Sequence, residues 1–382
     1  MREALIDVTR LVGRFALGRL ATGVDRVCVE YVRRYGEDAR ALVRWAGRDH
    51  VLHRADSRRL FRWLLEPASR REAYGLVARG MLRGWGEALR PGAILFNTGH
   101  SGLEKACYAG LREQLGARPF FMVHDLIPIT HPHFSRAGEP AKHRARMRNV
   151  LQHGRAVVTN SRATLDGLHA FARANGLAMP ATRVAPLAPG LARGTPGPAP
   201  LAGPYFVMLG TIEPRKNHLL MLRLWERLAG RLGDAAPTLV VIGQRGWECE
   251  NVLALLGRSV AGGRVIELAR CPDAQLCTYL RHARALLFPS FVEGYGLPLV
   301  EALALGVPVL ASDLAVLREV AGDVPEYASV EDDARWEALV VEYTASDGAR
   351  RGAQLERLAA FAAPTWAAHF AEVDALLGEI GA

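Results

Sequence analysis

Short hydrophobic runs alternate with segments of helical periodicity along most of this 382-residue chain. In its first half, six runs have the composition of buried strands: Ala4–Val8, Ala41–Trp45, Ala93–Asn97, Phe120–His124, Ala156–Thr159 and Arg183–Pro186. Strands that alternate with helices indicate crossover units and a parallel sheet. Because such sheets bind ligands beyond the carboxyl ends of their strands, we expect the functional residues in the loops that follow.

Residues 186–204 interrupt this pattern, because their recurring proline and glycine exclude both helix and central strand. A second alternation follows. Its predicted strands are Tyr205–Leu209, Thr238–Ile242, Arg264–Leu268, Ala285–Phe288 and Val307–Ala311, and its predicted helices are Asn217–Leu232, Asp273–Ala283, Pro298–Ala304 and Ala315–Val320. The chain is also longer than a usual single core. We therefore predict an α/β protein of two Rossmann-like, doubly wound domains, residues 1–190 and 200–364, which face a central cleft.

The charge balance indicates an anionic ligand. The chain has 48 Lys plus Arg against 39 Asp plus Glu, a net charge of +9, and much of the excess lies in the first half. The sequence has no zinc-finger spacing, aromatic RNA-binding motif or continuous basic helix, so we do not expect nucleic acid as a partner. A nucleotide substrate and an anionic membrane surface fit the charge better.

The stretch from Asp56 to Arg90 mixes arginine with leucine, phenylalanine and tryptophan. We interpret it as surface helices with a solvated arginine face, or alternatively as a patch that binds an anionic membrane surface. The N-terminus lacks a signal-peptide pattern and no apolar run is long enough to span a bilayer, so we expect a cytoplasmic protein, peripheral on the inner membrane face if that patch binds lipid. The cysteines lack metal or redox spacing and are predicted to be reduced core thiols: Cys28, Cys107, Cys249, Cys271 and Cys277.

Two acidic residues, Glu293 and Glu301, are separated by seven residues in the segment FPSFVEGYGLPLVEALALGVPVLASD. The glycines between them allow backbone to approach a ligand, and Pro298 suits the first turn of a helix. The amides of a helix start favour an anionic oxygen. The segment therefore predicts a diphosphate site with two carboxylates that can hold sugar hydroxyls at two depths.

A basic pair, Arg215 and Lys216, lies in the segment GTIEPRKN just past the first predicted strand of the second domain. Two adjacent cations at this edge suit a nucleotide diphosphate, because they offset the charge that grows on it as a leaving group.

Both segments resemble the motifs of the family 4 retaining glycosyltransferases of the GT-B superfamily. GTIEPRKN together with HDLIP most resembles the bacterial enzymes of surface-polysaccharide assembly. The resemblance implies that Glu301 binds the nucleotide ribose, that Glu293 contacts the transferred sugar, and that a terminal helix at about 365–382 packs back on the first domain. It implies a donor site made of Gly210, Thr211, Arg215, Lys216, Glu293, Gly294, Tyr295, Gly296, Leu297 and Glu301.

The resemblance is looser in the first domain. There, His124 in FFMVHDLIP occupies the position of a family histidine that contacts the transferred sugar. Acceptor-side loops are expected at Gly23, Val24, Asp25, Arg26, Asn97, His100, Asn160 and Ser161, of which the last four are interpreted equally well as ordinary turn and cap residues. His131 and His133 have no third ligand at metal spacing and there is no clear Asp-x-Asp motif, so we expect neither a metal nor another cofactor.

The expected activity is retaining hexosyl transfer, with His124, Arg215, Lys216 and Glu293 as catalytic residues. The donor would be a nucleotide-diphosphate sugar carrying mannose, rhamnose, glucose or galactose. The acceptor would be a glycan or a lipid-linked glycan of bacterial polysaccharide or lipopolysaccharide biosynthesis. Two alternatives stay open: a nucleotide-sugar epimerase on the same fold, and a non-catalytic donor-binding or membrane scaffold subunit. The sequence leaves the donor nucleotide, the acceptor and the oligomeric state open.

Overall fold

The computed structural model describes residues 3–45, 48–66, 70–83, 89, 92–105, 116–191, 197–345 and 347–381. The chain divides into two compact units. The first contains Met1–Ile129, Gly138–Leu187 and Trp366–Ala382, and the second contains Thr130–Ala137 and Ala188–Thr365. The grouping of Thr130–Ala137 with the second unit was not predicted from the sequence.

The first unit is built on a sheet of seven described strands: β1 (Ala4–Asp7), β2 (Ala39–Trp45), β3 (Arg48–Val51), β4 (Ile94–Asn97), β5 (Arg118–Val123), β6 (Ala156–Thr159) and β7 (Ala181–Val184). Their order is β3-β2-β1-β4-β5-β6-β7, and all neighbours are parallel except β2 and β3. Six strands agree with the predicted ones to within two residues at each end. Strand β3 was not predicted because its sequence, RDHV, is polar; none of its residues is fully buried.

Helices and sheet of the first unit share a hydrophobic core. Its helices in the first half of the chain are α1 (Thr9–Ala16), α2 (Gly23–Tyr35), α3 (Arg54–Leu65), α4 (Arg70–Arg83), the one-turn α5 (Ile127–Thr130), α6 (Glu139–His153) and α7 (Arg162–Ala174). Leu95 and Phe121 from the strands form one buried cluster with Met147 of α6 and Leu168 of α7. Burial of such side chains is the main favourable term in holding helices on a sheet.

The second unit contains a parallel sheet of six described strands: β8 (Tyr205–Leu209), β9 (Thr238–Ile242), β10 (Val265–Leu268), β11 (Leu286–Phe288), β12 (Val309–Ser312) and β13 (Glu326–Ala328). The order is β10-β9-β8-β11-β12-β13. Chain order therefore reverses between β8 and β11, and the loops that follow these two strands diverge from adjacent strand ends. In open α/β sheets this switch point is where ligands bind.

The helices of the second unit are α8 (His218–Leu232), α9 (Glu250–Ala261), α10 (Asp273–His282), α11 (Leu297–Ala304), α12 (Ala315–Ala321), α13 (Asp333–Thr344) and α14 (Ala349–Ala359). Two fully buried tryptophans, Trp225 of α8 and Trp336 of α13, belong to the core cluster of this unit. Their indole N–H groups donate to Pro237 O and Ser329 O, each at 2.9 Å. The buried donors are thus satisfied, which burial of a polar group requires.

The final helix, α15 (Trp366–Glu379), belongs to the first unit. His369 is fully buried, with Nδ1 3.1 Å from Ala185 O and Nε2 3.1 Å from the hydroxyl oxygen of Tyr31. Phe370 packs edge-on against Tyr31 and Tyr35. His369 and Phe370 are thus among the residues by which this helix packs into the core, whereas Trp366, its first residue, is only partly buried.

The arginine-rich stretch contributes its apolar side chains to the core. In α3, Leu60, Phe61, Trp63 and Leu64 are buried, while Arg58, Arg59 and Arg62 are exposed. This is the surface-helix interpretation, for the described part of the stretch; residues 67–69, 84–88 and 90 lie outside it. Within the described ranges, no helix combines the length and apolar character needed to cross a bilayer.

Four of the five cysteines are buried free thiols, as predicted: Cys28, Cys249, Cys271 and Cys277. Cys107 lies outside the described residues.

Candidate functional site

The loops after β8 and β11 meet at the switch point of the second unit. The β8 loop begins at Gly210 (φ +146°) and contains a short 3₁₀ turn, Pro214–Lys216. The β11 loop runs to Gly296 and is tied to the β8 loop by the Phe291 N–H, which donates to Arg215 O at 2.9 Å. The two motifs singled out in the sequence are therefore neighbours in the fold.

The β8 loop also lies backbone to backbone against the loop after β9. A Cβ atom on Gly243 would be 1.8 Å from Gly210 O, so only glycine fits there. Two hydrogen bonds of 2.9 Å continue the contact, from Ile212 N to Gln244 O and from Gly246 N to Ile212 O. This contact fixes the backbone from which the basic pair projects.

Glu293 joins the two loops electrostatically. Its carboxylate lies 2.8 Å from Arg215 Nη1 and 2.5 Å from Lys216 Nζ, with only 8% of its side chain exposed. Burial alone would raise the pKa of Glu293, but the two cations outweigh it and lower the pKa to about 2. Glu293 is therefore ionised at neutral pH.

A second carboxylate, Glu213, completes the cluster. Its Oε1 accepts from Arg215 Nη2 at 2.7 Å and from Arg215 Nε at 3.1 Å. Glu213 was not singled out in the sequence, although it stands two residues before Arg215 in the same motif. We call Glu213, Arg215, Lys216 and Glu293 the charge quartet; with two cations and two carboxylates its net charge is zero.

The quartet changes the role predicted for the basic pair. The sequence suggested two cations available for a diphosphate, but the structure places a carboxylate on each of them. Lys216 also lies over the ring of Phe288, whose centroid is 4.8 Å from Nζ. Burial lowers the pKa of Lys216, and Glu293 opposes that shift. A diphosphate that binds here must therefore take Lys216 over from Glu293 or share it.

Helix α11 begins directly after the quartet. Gly296 adopts a left-handed conformation (φ +97°) at its N-cap, and a Cβ atom there would lie 2.6 Å from Leu317 Cδ2. Leu297 and Pro298 follow in the first turn. Glu301 is buried, 5% exposed, and its Oε1 accepts from the Gly190 N–H of the linker at 3.2 Å. The second carboxylate of the motif is thus tied to the linker.

The remaining predicted donor residues belong to the same two loops. Gly210 lies beneath Lys216, since a Cβ atom on it would be 3.4 Å from Lys216 Cε. Thr211 and Gly294 are partly buried and Tyr295 is buried. The structure therefore brings the predicted donor set together around the switch point.

His124 directly follows β5 in the first unit and is buried. Its Nε2 lies 2.7 Å from Thr98 O; because a carbonyl can only accept, Nε2 carries the hydrogen and Nδ1 keeps its lone pair. His100 and His143 form a ring cluster with it, at centroid distances of 5.2 Å for His100–His124 and 5.8 Å for His100–His143. Burial lowers the pKa of all three histidines, so the cluster is neutral at pH 7.

The predicted acceptor-side residues near the N-terminus form the start of α2. Gly23, Val24 and Arg26 lie in its first turn, and Thr22 and Asp25 form a capping box. Asp25 is fully buried and pairs with Arg10 at 2.8 Å and Arg14 at 2.7 Å. Its carboxylate is engaged in holding α1 against α2, which the sequence did not indicate.

The other acceptor-side candidates also make structural contacts. Asn97 is buried and donates to Asp7 Oδ2 at 3.2 Å and to Ser101 O at 2.9 Å. Asn160 donates to His124 O at 2.9 Å, and Ser161 caps α7 by accepting from Thr164 N. Of the two interpretations, the structure shows the turn and cap contacts. Asn160 has the additional effect of holding the backbone at His124.

His131 and His133 lie in the segment of the second unit that comes from the first half of the chain, with ring centroids 6.0 Å apart. Across the part of the chain that the structure describes, no three His, Cys, Asp or Glu side chains are grouped as metal ligands would be.

Comparison with known proteins addresses the second unit directly. Residues 197–341 match the sequence model of the family described as glycosyl transferases group 1. This range includes the charge quartet and Glu301. The O-antigen chain mannosyltransferase B of Escherichia coli is 35% identical over 155 residues, which are 41% of this chain and 40% of that protein. The serotype-specific mannosyltransferase WbdA of Escherichia coli is 29% identical over 239 residues, 56% of this chain and 28% of that protein. The chain thus matches less than half the length of either relative.

Among solved structures, HepE of Anabaena in complex with UDP aligns over 100% of this chain and 98% of its own, with a TM-score of 0.62 and 13% identity. Likeness at this level shows the fold. The predicted α/β fold of two Rossmann-like units is confirmed.

Proposed function

We propose that the protein transfers a hexose from a nucleotide-diphosphate donor. The match of residues 197–341 to the group 1 glycosyl transferases and the GT-B fold support this proposal. The acceptor in this proposal is a glycan or a lipid-linked glycan of surface-polysaccharide biosynthesis. The observation that carries the proposal is the charge quartet at the switch point. It holds two cations and a buried ionised carboxylate where an open sheet binds its ligand.

Donor binding in this proposal is an exchange of partners. The diphosphate takes Arg215 and Lys216, and Glu293, released from the cations, accepts hydrogen bonds from hydroxyls of the sugar. The amides at the start of α11 add favourable interactions with the anionic oxygens. Glu301, positioned by its bond to the linker, is proposed to bind the ribose.

The proposed chemistry retains the anomeric configuration. Because the pKa of Glu293 is about 2, Glu293 is a hydrogen-bond acceptor and a stabiliser of positive charge on the sugar, and it is not a proton donor at pH 7. Arg215 and Lys216 stabilise the diphosphate as it leaves. We assign the acceptor to the first unit, and propose that the neutral His124 of that unit offers its Nδ1 lone pair to a hydroxyl of the transferred sugar. No resident metal is part of the proposal, so turnover should persist in EDTA.

Mannose is the proposed sugar, because both relatives described above are mannosyltransferases. The test is a binding and turnover screen with GDP-mannose and with UDP- and dTDP-linked hexoses, using a mannose oligosaccharide as acceptor. We expect a new α-mannosidic bond, identified by NMR of the product. A different transferred hexose would correct the sugar. Binding without turnover of any donor would refute catalysis, and a free epimerised nucleotide sugar would favour the epimerase.

A further inference from the structure

A cluster of aromatic rings lies beside the charge quartet and has no part in the chemistry proposed above. It begins in the segment Thr130–Ala137, which groups with the second unit. A 3₁₀ turn at Pro132–Phe134 places the rings of His133 and Phe134 4.2 Å apart between centroids. His131 is nearly parallel to Phe134, with an interplanar angle of 20° and a centroid distance of 6.3 Å. We call His131, His133, Phe134 and Phe291 the aromatic rim.

Phe291 connects the rim to the donor loops. Its ring stacks on Phe134 at a centroid distance of 5.2 Å and an interplanar angle of 18°. Its N–H bonds Arg215 O, and it stands two residues before Glu293. The stacked pair is therefore fixed by backbone to the residues that are proposed to hold the donor sugar.

A second contact fixes the other end of the segment. The guanidinium of Arg136 lies 4.9 Å from the ring centroid of Trp247, in the loop after β9. The neighbouring Gly246 bonds Ile212 of the β8 loop. The segment is thus attached to two of the loops that surround the switch point, which makes the rim a built part of that edge.

The rim stays accessible despite these contacts. Phe291 is 38% exposed, and Pro132 and His133 are exposed. Exposed aromatic rings next to a polar site are typical of ligand recognition, since the removal of an apolar ring from water by a ligand is favourable. The π-face of a ring is negative and attracts the polarised C–H face of a pyranose. The buried carboxylate and cations nearby suit hydroxyl groups, which a lipid chain would not supply.

We propose that the aromatic rim binds a pyranose unit of the acceptor glycan by stacking, next to the donor site of the second unit. The proposal rests on the proposed function, because a second sugar at this edge has a role only if a glycosyl group is transferred. This acceptor subsite lies within the second unit.

The test compares Phe291→Ala, Phe291→Leu and Phe291→Trp with the wild-type chain. Mannotetraose binding is measured by saturation-transfer NMR and titration in the presence of GDP, and GDP binding is measured separately by calorimetry. The alanine and leucine variants should bind mannotetraose about tenfold more weakly, whereas tryptophan should restore binding. Leucine keeps an apolar side chain without a π-face, so it separates stacking from packing.

Leu355→Ala is the matched control, since Leu355 is also exposed, at 36%, but lies on α14. It should bind mannotetraose like the wild type. All variants should bind GDP like the wild type, because the Phe291 N–H bond to Arg215 O does not depend on the side chain. An unchanged GDP affinity would also show that the loop is intact.

Two results would overturn the aromatic rim as a sugar site. One is unchanged mannotetraose affinity in the alanine and leucine variants, and the other is a wild-type chain that transfers mannose yet shows no mannotetraose contact at these rings. Failure of the wild-type chain to bind any nucleotide or to transfer any sugar would instead refute the proposed function, and the subsite with it.

Discussion

Replacing Glu293 by glutamine tests the charge quartet most directly. The pKa of this carboxyl is about 2 in the folded chain against an ordinary value of 4.5. At roughly 1.4 kcal/mol per pKa unit, the ionised carboxylate stabilises the fold by about 3 kcal/mol at pH 7. Glutamine keeps the shape but not the charge, so Glu293→Gln should lower the free energy of unfolding by up to that amount.

The loss should depend on pH in a defined way. A carboxyl whose pKa is lowered by folding stabilises the protein above its unfolded pKa, and this stabilisation disappears as pH falls towards the folded pKa. The difference between wild type and variant should therefore be constant from pH 8 to about pH 5 and fall to about 1 kcal/mol near pH 3. Urea unfolding of both proteins at pH 7, 5 and 3 measures it.

Nucleotide binding should change in the opposite direction to stability. When a diphosphate displaces Glu293 from Arg215 and Lys216, the wild-type protein loses part of the stabilisation that these ion pairs provide. The glutamine variant has no such ion pairs to lose. Glu293→Gln should thus bind GDP more tightly, by up to about a hundredfold, while turnover falls because the sugar loses its carboxylate. Isothermal titration gives the affinity.

Glu326→Gln is the control for these measurements. Glu326 also pairs with arginine, at 2.7 Å from Arg357, but it lies on the outer strand β13. It should leave GDP affinity unchanged. If Glu293→Gln binds GDP no more tightly than Glu326→Gln, the competition between Glu293 and diphosphate is refuted; if its stability loss does not shrink in acid, the assigned charge interaction is wrong.

Three further substitutions, one of them with a matched control, test other features. Burial lowers the pKa of His369 to about 4, so the wild-type chain should lose about 2 kcal/mol of stability from this group between pH 7 and pH 5, and His369→Gln should remove that part of the pH dependence in urea unfolding. Gly243→Ala should destabilise by more than about 2 kcal/mol and weaken nucleotide binding, because its Cβ would lie 1.8 Å from Gly210 O. Gly378→Ala, in α15 with no atom within 4 Å of the new Cβ, should instead be neutral or stabilising by about 0.5 kcal/mol in thermal denaturation. Asp25→Asn should cost about 3 kcal/mol, because it removes the buried carboxylate that pairs with the partly buried guanidinium groups of Arg10 and Arg14, and an unchanged melting temperature would contradict that account.

The sequence predicted the architecture well because each central strand is a continuous apolar run. Tyr205–Leu209 and Thr238–Ile242 are found at the predicted residues, since a strand buried on both faces leaves little ambiguity in its pattern. Strand β3 follows no such rule, because an antiparallel edge strand can be polar. Its existence depends on pairing with β2 and not on its own composition.

Arg215, Lys216 and Glu293 were singled out from the sequence, but their ion pairs were not. The glycines around Glu293 and the position of Lys216 after a strand are local signals. The pairing of Lys216 with Glu293, 77 residues apart, is a tertiary fact that no local pattern encodes. The same holds for Phe134, whose contact with Phe291 depends on a segment that leaves the first unit and groups with the second.

The position of α15 has a consequence for synthesis of the chain. Tyr31, Tyr35 and Phe96, all from the first hundred residues, pack together in the core of the first unit. Phe370 and the buried His369, which cover Tyr31, belong to α15 and are translated after the second unit. Until these residues leave the ribosome, the first unit lacks part of its core, whereas nearly all of the second unit has already emerged. Nascent domains usually fold from the N-terminus onwards. Here we expect the reverse order, with the half translated first being the last to reach its final stability.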